Sequence, residues 1–324
     1  MYSIQQLQNI IIEAINGKRY PKEPAELYEP MQYMMNLGGK RLRPALLLMG
    51  CDAFDGDIYQ AINPAIAIEV FHNFTLMHDD IMDKAPLRRG KTTVHEKWNS
   101  SVGILSGDAM LVEGYKLMMQ VNEKILRPVL EIFNQTAIAV CEGQQLDMNF
   151  EQLATVKMDA YINMIRLKTA VVLGGALKIG ALIAGADQKD AELIYAFGED
   201  LGIAFQLQDD ILDVYGDPEK FGKQVGGDIL SNKKTYLLIN ALETADESQL
   251  QELNSWLQLT NFDAVKKVSA VKNLFDRMEI REKAEQEMNL YAQRAMQSLK
   301  DLPLDDLRKN ALFEFADMLL VREN

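Results

Sequence analysis

Two stretches of the chain run an apolar, helix-patterned segment into the same acidic ending: HNFTLMHDDIMD at 72–83 and GIAFQLQDDILD at 202–213. Aspartate accounts for 24 of the 324 residues. Chance would supply one DDxxD about 0.13 times and two copies at roughly the one-in-a-hundred level. Helical positions i and i+4 share a face, so Asp79 aligns with Asp83, and Asp209 with Asp213. Like charges at this spacing repel, and they crowd a helix C-terminus whose dipole already disfavours negative charge. A bound cation removes both costs. Hard carboxylate oxygens that leave coordination positions open suit Mg²⁺, which takes one or two carboxylates and completes its shell with water and substrate phosphate. A solvated acidic helix end accounts for one such motif, but poorly for two that each follow an apolar helix and precede a basic or Gly-rich loop.

Basic residues stand around the same loops. GGKRLRP places Lys40, Arg41 and Arg43 beside a glycine pair; KAPLRRGKTTVH follows the first motif with Arg88 and Arg89; EKFGKQVGGD follows the second with Lys223. Guanidinium forks take phosphate bidentately, and lysine binds it as a point charge. Alternating acid and base is what a metal-bridged polyphosphate needs. Surface ion pairing accounts for any one arginine, but less well for clusters that flank the aspartates.

Composition narrows the field. With 48% hydrophobic residues the chain can build one large core or two ordinary ones. A net charge of -13 repels a phosphate backbone, so nucleic acid is not an expected partner. Cys51 and Cys141 form no CxxC, which argues against a disulfide framework or zinc site and suits a reducing, cytoplasmic setting. The N-terminal residues lack the pattern of a signal peptide. The greasiest segment, TAVVLGGALKIGALIAGA at 169–186, contains Lys178 and is too short to span a membrane. It reads instead as a buried helix whose glycines allow close contacts.

Helical periodicity runs throughout, and strand signals are almost absent. Expected helices are 3–16, 24–36, 42–54, 61–82, 97–120, 128–149, 158–185, 189–215, 233–243, 247–258, 262–273, 275–299 and 303–321, punctuated by Pro and Gly. No low-complexity linker divides the chain, so residues 1–324 read as a single all-α domain.

As a set, GGKRLRP, Glu69 and His72, DDIMD, RRG, GQQLD at 143–147, LKT at 167–169, FQLQDDILD and GKQVGGDILSNKKT resemble the trans-isoprenyl diphosphate synthases, from about Gly38 to Tyr236. The resemblance implies a bundle of long helices around a deep central cavity, usually a homodimer. It also implies the head-to-tail joining of isopentenyl diphosphate to an allylic primer: dimethylallyl, geranyl or farnesyl diphosphate. Three Mg²⁺ ions would serve the departing diphosphate, with Asp79 and Asp83 holding two, Asp209 the third, and Asp80, Asp210 and Asp213 orienting bound water. Arg88, Lys168, Lys223 and Lys233 would grip the allylic diphosphate; Lys40, Arg43, His72 and Arg89 would grip isopentenyl diphosphate. Gln144 and Asp147 belong by the same match to the metal and allylic-phosphate shell, and Thr169 and Gln206 present oxygens toward the carbocation. The chain departs from the family pattern after Thr235, where Tyr236-Leu237 replaces the usual Leu-Pro.

Product length is expected to be set on helix 61–82. At ~1.5 Å per residue, Phe74 lies ~7.5 Å and Phe71 ~12 Å below Asp79 along the axis. Phe71, Phe74, Thr75 and His78 form one stripe. A ring at Phe74 acts as a floor, and the expectation is a twenty-carbon product, with fifteen carbons the alternative. Two other readings differ in class. A class I terpene cyclase shares DDxxD and Mg²⁺ but needs no second diphosphate pocket. A non-catalytic partner subunit would tend to have lost the aspartates or the basic grips.

Overall fold

The computed structural model describes residues 1–217 and 225–320. In chain order the helices are α1 (Ile4–Gly17), α2 (Ala25–Asn36), α3 (Leu42–Ala53), α4 (Ile58–Met82), α5 (Val94–Lys97), α6 (Ser100–Met118), α7 (Glu123–Gln152), α8 (Met158–Ile165), α9 (Val171–Ile183) and α10 (Gln188–Tyr215). They continue as α11 (Gly227–Leu230), α12 (Tyr236–Thr244), α13 (Glu247–Leu257), α14 (Ala264–Arg277), α15 (Ile280–Asp301) and α16 (Asp306–Leu320). The strands among the described residues are β1 (Leu87–Arg88) and β2 (Lys91–Thr92), one antiparallel hairpin.

Local chemistry explains where the helices begin. Ser3 and Gln6 form a reciprocal capping box at α1, and Asp246 and Gln249 repeat it at α13. Asp57 starts α4 and Asn99 starts α6, each side chain accepting a backbone N–H. The expected helix 97–120 therefore begins later than its periodicity suggests: Trp98 leaves helical geometry and Asn99 restarts the chain. The expected helix 158–185 is three pieces, because residues Arg166–Ala170 form a π-helical turn between α8 and α9. The last expected helix, 303–321, is observed over 306–320, residue 321 lying outside the described residues.

The backbone sorts into two compact units: Met1–Asn134, Gly175–Ile194 and Pro303–Leu312 in one; Gln135–Gly174, Tyr195–Leu302 and Phe313–Asn324 in the other. In the first, α4 packs against α3 and α6. α3 also meets α9 backbone to backbone: a Cβ on Gly180 would stand 2.0 Å from the Leu47 carbonyl oxygen, and one on Gly50 would stand 2.2 Å from that of Leu177. Small residues there let the two helices touch, as the glycines of the greasy segment suggested. In the second unit, Ile203, Leu207 and Ile211 of α10 bury themselves with Tyr161, Ile165, Leu237, Leu253, Phe275 and Ile280 in one apolar core. No helix among the described residues is long and apolar enough to cross a membrane.

One buried carboxyl of α10 faces an arginine. Asp200 is 7% exposed and faces Arg294 Nη2 at 3.3 Å. Burial pushes its carboxyl up from 3.8 to about 6, with Arg294 pulling the other way and Glu199 reinforcing the rise. A carboxyl raised on folding stabilises the fold while protonated, so this contribution is complete below the unfolded value and is lost as pH climbs through about 6. Asp200→Asn is therefore expected to gain stability relative to the parent between pH 4 and pH 8, by on the order of 1–3 kcal/mol. Denaturant midpoints for both proteins at the two pH values check this, and parallel pH curves would contradict it.

Candidate active site

The first aspartate motif closes α4. Residues Ala65 to Phe71 of this helix are buried in succession, so its charged groups must sit where partners meet them. Asp80 is 1% exposed and takes a two-pronged contact from Arg88, with Nε at 2.9 Å and Nη2 at 2.5 Å from Oδ1. The same Nη2 lies 3.5 Å from Asp79 Oδ2. Burial pushes the Asp80 carboxyl up, and the Arg88 hydrogen bond and charge pull it back. Asp79 is partly buried and Asp83, one turn on, is exposed. Arg88 is delivered by the β1–β2 hairpin, whose two central residues, Arg89 and Gly90, both have positive φ (54° and 73°), as a two-residue turn that follows strand twist requires. The sequence signal was RRGK, an Arg-Gly turn between strands too short to show alternation.

Two turns earlier on α4 lies a basic cluster. His72 Nε2 is 3.3 Å from Arg43 Nη1; a guanidinium only donates, so this ring nitrogen accepts. Burial, and then the charges of Arg43, Arg89, Arg88 and Arg41, hold His72 well below the usual imidazole range, so the ring is neutral. Arg89 donates to the Gly38 carbonyl, and its guanidinium lies where a Cβ on Gly39 would come within 2.8 Å. The glycine pair thus makes room for an arginine, with Gly39 at φ +124°. The structure brings together Arg43, His72 and Arg89 of the residues expected to grip isopentenyl diphosphate. Lys40, the remaining one, is exposed and follows the glycine pair in the chain.

Aromatic rings pack along the same helix. Tyr115, Phe133, Phe71, Phe74 and His78 form a chain of rings with successive centroids 5.0, 5.5, 5.8 and 4.8 Å apart, mostly edge to face. Phe71 and Phe133 are fully enclosed, and Phe74 is 9% exposed. Thr75 turns its hydroxyl to the His72 carbonyl at 2.8 Å.

The second motif is built differently. Asp210 of α10 is buried and accepts from Tyr161 Oη, from Gln206 Nε2 at 3.2 Å and from the Tyr236 backbone N–H at 3.4 Å. Burial pushes its carboxyl up to about 7; Asp228 adds to the rise, while Tyr161, Lys233 and Gln206 oppose it. Asp213 Oδ1 accepts from the Asp228 backbone N–H at 2.9 Å, tying α10 to the start of α11, and Lys233 follows α11, exposed. Lys168 Nζ stands 2.6 Å from Asp147 Oδ2, and Thr169 donates to Gln206 Oε1 at 3.3 Å. Lys168 and Thr169 both sit on the π turn, which lies so close to α7 that a Cβ on Gly143 would meet the Lys168 nitrogen at 2.4 Å. Gln144 and Asp209 are partly buried on α7 and α10. Lys223 lies outside the described residues. Sequence reasoning missed Tyr161, which had no signal beyond a helical position. It also missed the ion pair of Arg41 with Glu69, visible only as residues neighbouring the recognised ones.

The donor chemistry fits Mg²⁺. Asp79 and Asp83 offer hard oxygens from one helix turn, and Asp209 and Asp213 repeat the arrangement. No three His, Cys, Asp or Glu side chains converge among the described residues.

Residues 24–275 match the family model described as polyprenyl synthetase, and the chain belongs to that family. It is 40% identical over 222 residues to the geranylgeranyl diphosphate synthase of Methanosarcina mazei, covering 68% of each chain. It is 40% identical over 251 residues to that of Sulfolobus acidocaldarius, covering 76% of this chain and 74% of that protein. A crystal structure of a geranylgeranyl pyrophosphate synthase superposes with a TM-score of 0.95 at 44% identity, covering 100% of both chains. The all-α isoprenoid synthase fold and an isoprenyl diphosphate synthase activity are thereby established, and the family works with Mg²⁺.

Tyr161 is the least obvious support of the second motif. Tyr161→Phe removes one donor from a buried carboxyl and is expected to cost about 1–3 kcal/mol. A chemical-denaturation midpoint equal to that of the parent would show that Asp210 draws nothing from the phenol.

Proposed function

We propose that this chain joins isopentenyl diphosphate head to tail to allylic diphosphates and stops at geranylgeranyl diphosphate. One observation carries the reading. α4 bears carboxylates at its end and, ~10.5 Å earlier along its axis, a neutral histidine among arginines. One helix thus offers handles for two kinds of diphosphate contact, one through a cation and one direct. A cyclase acting on a single diphosphate has no use for the second.

In this reading Asp79 and Asp83, with Asp209, would hold three Mg²⁺ ions, which when bound neutralise the charge of the departing diphosphate. Asp80, Asp210 and Asp213 would orient water bound to those ions, and Gln144 and Asp147 would belong to the same shell. Arg88, Lys168, Lys223 and Lys233 bind the allylic diphosphate. Lys40, Arg43, His72 and Arg89 bind isopentenyl diphosphate and aim its double bond. Thr169 and Gln206 turn oxygen atoms toward the carbocation left on the allylic carbon, a stabilisation of weight in an apolar surrounding. The double bond attacks that carbon, a proton leaves to the released diphosphate, and the product is one isoprene unit longer.

The names of the relatives support the twenty-carbon product, as does the ring of Phe74, backed by Phe71 and Phe133. We further propose a single domain, since the division between the two units falls inside α7, α9, α10 and α16. A homodimer is supported by Ile104, Leu105 and Val112, which stand 48, 61 and 67% exposed on α6. A cytoplasmic location fits a chain with two thiols and no membrane-crossing helix among the described residues.

The test is incubation of the pure protein with Mg²⁺, isopentenyl diphosphate and each allylic primer, followed by product sizing. Twenty-carbon diphosphate is expected; hydrocarbon released from an allylic diphosphate alone would replace this reading by the cyclase. Phe74→Ala is expected to lengthen the product, and an unchanged distribution would remove Phe74 from the ruler. If both aspartate motifs serve one departing diphosphate, Asp79→Asn and Asp209→Asn each lower kcat about 10³-fold or more, and the double variant loses little beyond either. Multiplying losses would mean that the motifs act independently.

A further inference from the structure

The turn between Lys40 and Arg43, where α3 begins, is held by a residue with no role in the scheme above. Arg41 lies between them and is 7% exposed. Its backbone is left-handed, at φ 49° and ψ 36°, at the position that starts α3. A β-carbon residue in this conformation is strained, and such strain persists only where the surroundings over-determine it.

The over-determination is visible. The Arg41 guanidinium donates through Nη1 to Glu69 Oε1 and through Nη2 to the Met35 carbonyl oxygen. Met35 belongs to the last turn of α2, whose carbonyls lack helical partners and carry the negative end of the dipole. Glu69 is 2% exposed on α4, and its Oε1 also accepts from Asn73 Nδ2 at 2.9 Å. Asn73 donates again to the Glu69 carbonyl oxygen at 2.8 Å, which fixes it on its own helix. One planar group therefore ties the end of α2, the start of α3 and the middle of α4 together. A lysine in its place would reach one of the two acceptors, not both in the same geometry.

What is tied matters more than the tie. Each end of the ion pair adjoins a residue of the basic cluster: Lys40 and Arg43 flank Arg41, and His72 lies one turn after Glu69. Arg43 and His72 are themselves in contact at 3.3 Å. Asp79, Asp80 and Arg88, the first motif and its partner, make no hydrogen bond to Arg41 or Glu69, and meet this loop only through the neighbouring Arg89, which donates to the Gly38 carbonyl. The pair thus acts on the basic cluster directly and on the first motif only at one remove.

We propose that Arg41 and Glu69 are positioning residues for isopentenyl diphosphate: they hold the strained loop so that Lys40, Arg43 and His72 face that diphosphate together, without touching it. This rests on the functional reading above. The prediction is selective. In Arg41→Lys, the KM for isopentenyl diphosphate rises about tenfold or more, as expected when binding groups are misplaced by an ångström. The KM for the allylic primer changes less than twofold. Glu69→Gln, which keeps the acceptor and drops the charge, shifts the same constant in the same direction by less.

A merely structural role would lower the melting temperature and degrade both constants together; that result, or unchanged constants in both variants, overturns the proposal. If Arg41→Lys fails to fold, Glu69→Gln carries the comparison. Absence of turnover by the parent would sink the functional reading alone. Calorimetric binding of isopentenyl diphosphate to parent and Glu69→Gln would then decide the inference, with equal affinities refuting it.

Discussion

Charge on a buried helix has to be compensated where it stands, and α4 is organised by that demand. A helix enclosed on most sides cannot turn its ionised groups to water, so each needs a partner delivered from elsewhere in the chain. Glu69 receives Arg41 and Asp80 receives Arg88, while His72, kept neutral, accepts from Arg43. The partners come from the glycine-led turn that opens α3, with the first turn of that helix, and from the hairpin after α4. Both loops contain residues with positive φ: Gly38, Gly39 and Arg41 in the first, Arg89 and Gly90 in the second. The unusual backbone arises from the need to bring guanidinium groups to fixed points on one apolar rod.

The two aspartate motifs solve the same problem with different chemistry. In the first, the middle aspartate is matched by a full positive charge from Arg88. In the second, Asp210 is met by a phenol, an amide and a backbone N–H, and burial raises it to about 7. The sequence repeat hides this asymmetry. Asp210 stands beside Leu207, Ile211 and Val214 of a large apolar core, where a neutral carboxyl is cheaper to keep than an ion pair.

Much of this was legible in the chain. Periodicity located nearly every long helix because each buries a broad apolar stripe, and Gly and Pro marked the breaks. The charged clusters were legible because their spacing fits one ligand chemistry. Other features had no local signature. The stop at Trp98 and the restart at Asn99 depend on cap geometry rather than hydrophobic pattern. Tyr161 is one aromatic on an apolar face until the fold sets it against Asp210. Arg41 stands among three basic residues of one motif, and only burial distinguishes it: it is enclosed, Arg43 is half-buried and Lys40 is exposed.

The π turn at Arg166–Ala170 has a consequence for how this chain can change. A π turn accommodates one residue more than the α-helix around it, so it acts as a phase shift of about 100° between the helix on its N-terminal side and the helix on its C-terminal side. Lys168 and Thr169 owe their outlook to that extra residue, and Gly143 owes its lack of a side chain to the bulge pressing on it. Deleting a single residue there would leave a smoother rod and a rotated one, with every later side chain on α9 turned by more than a quarter of a circle. The length of this stretch is therefore as constrained as the side chains it carries.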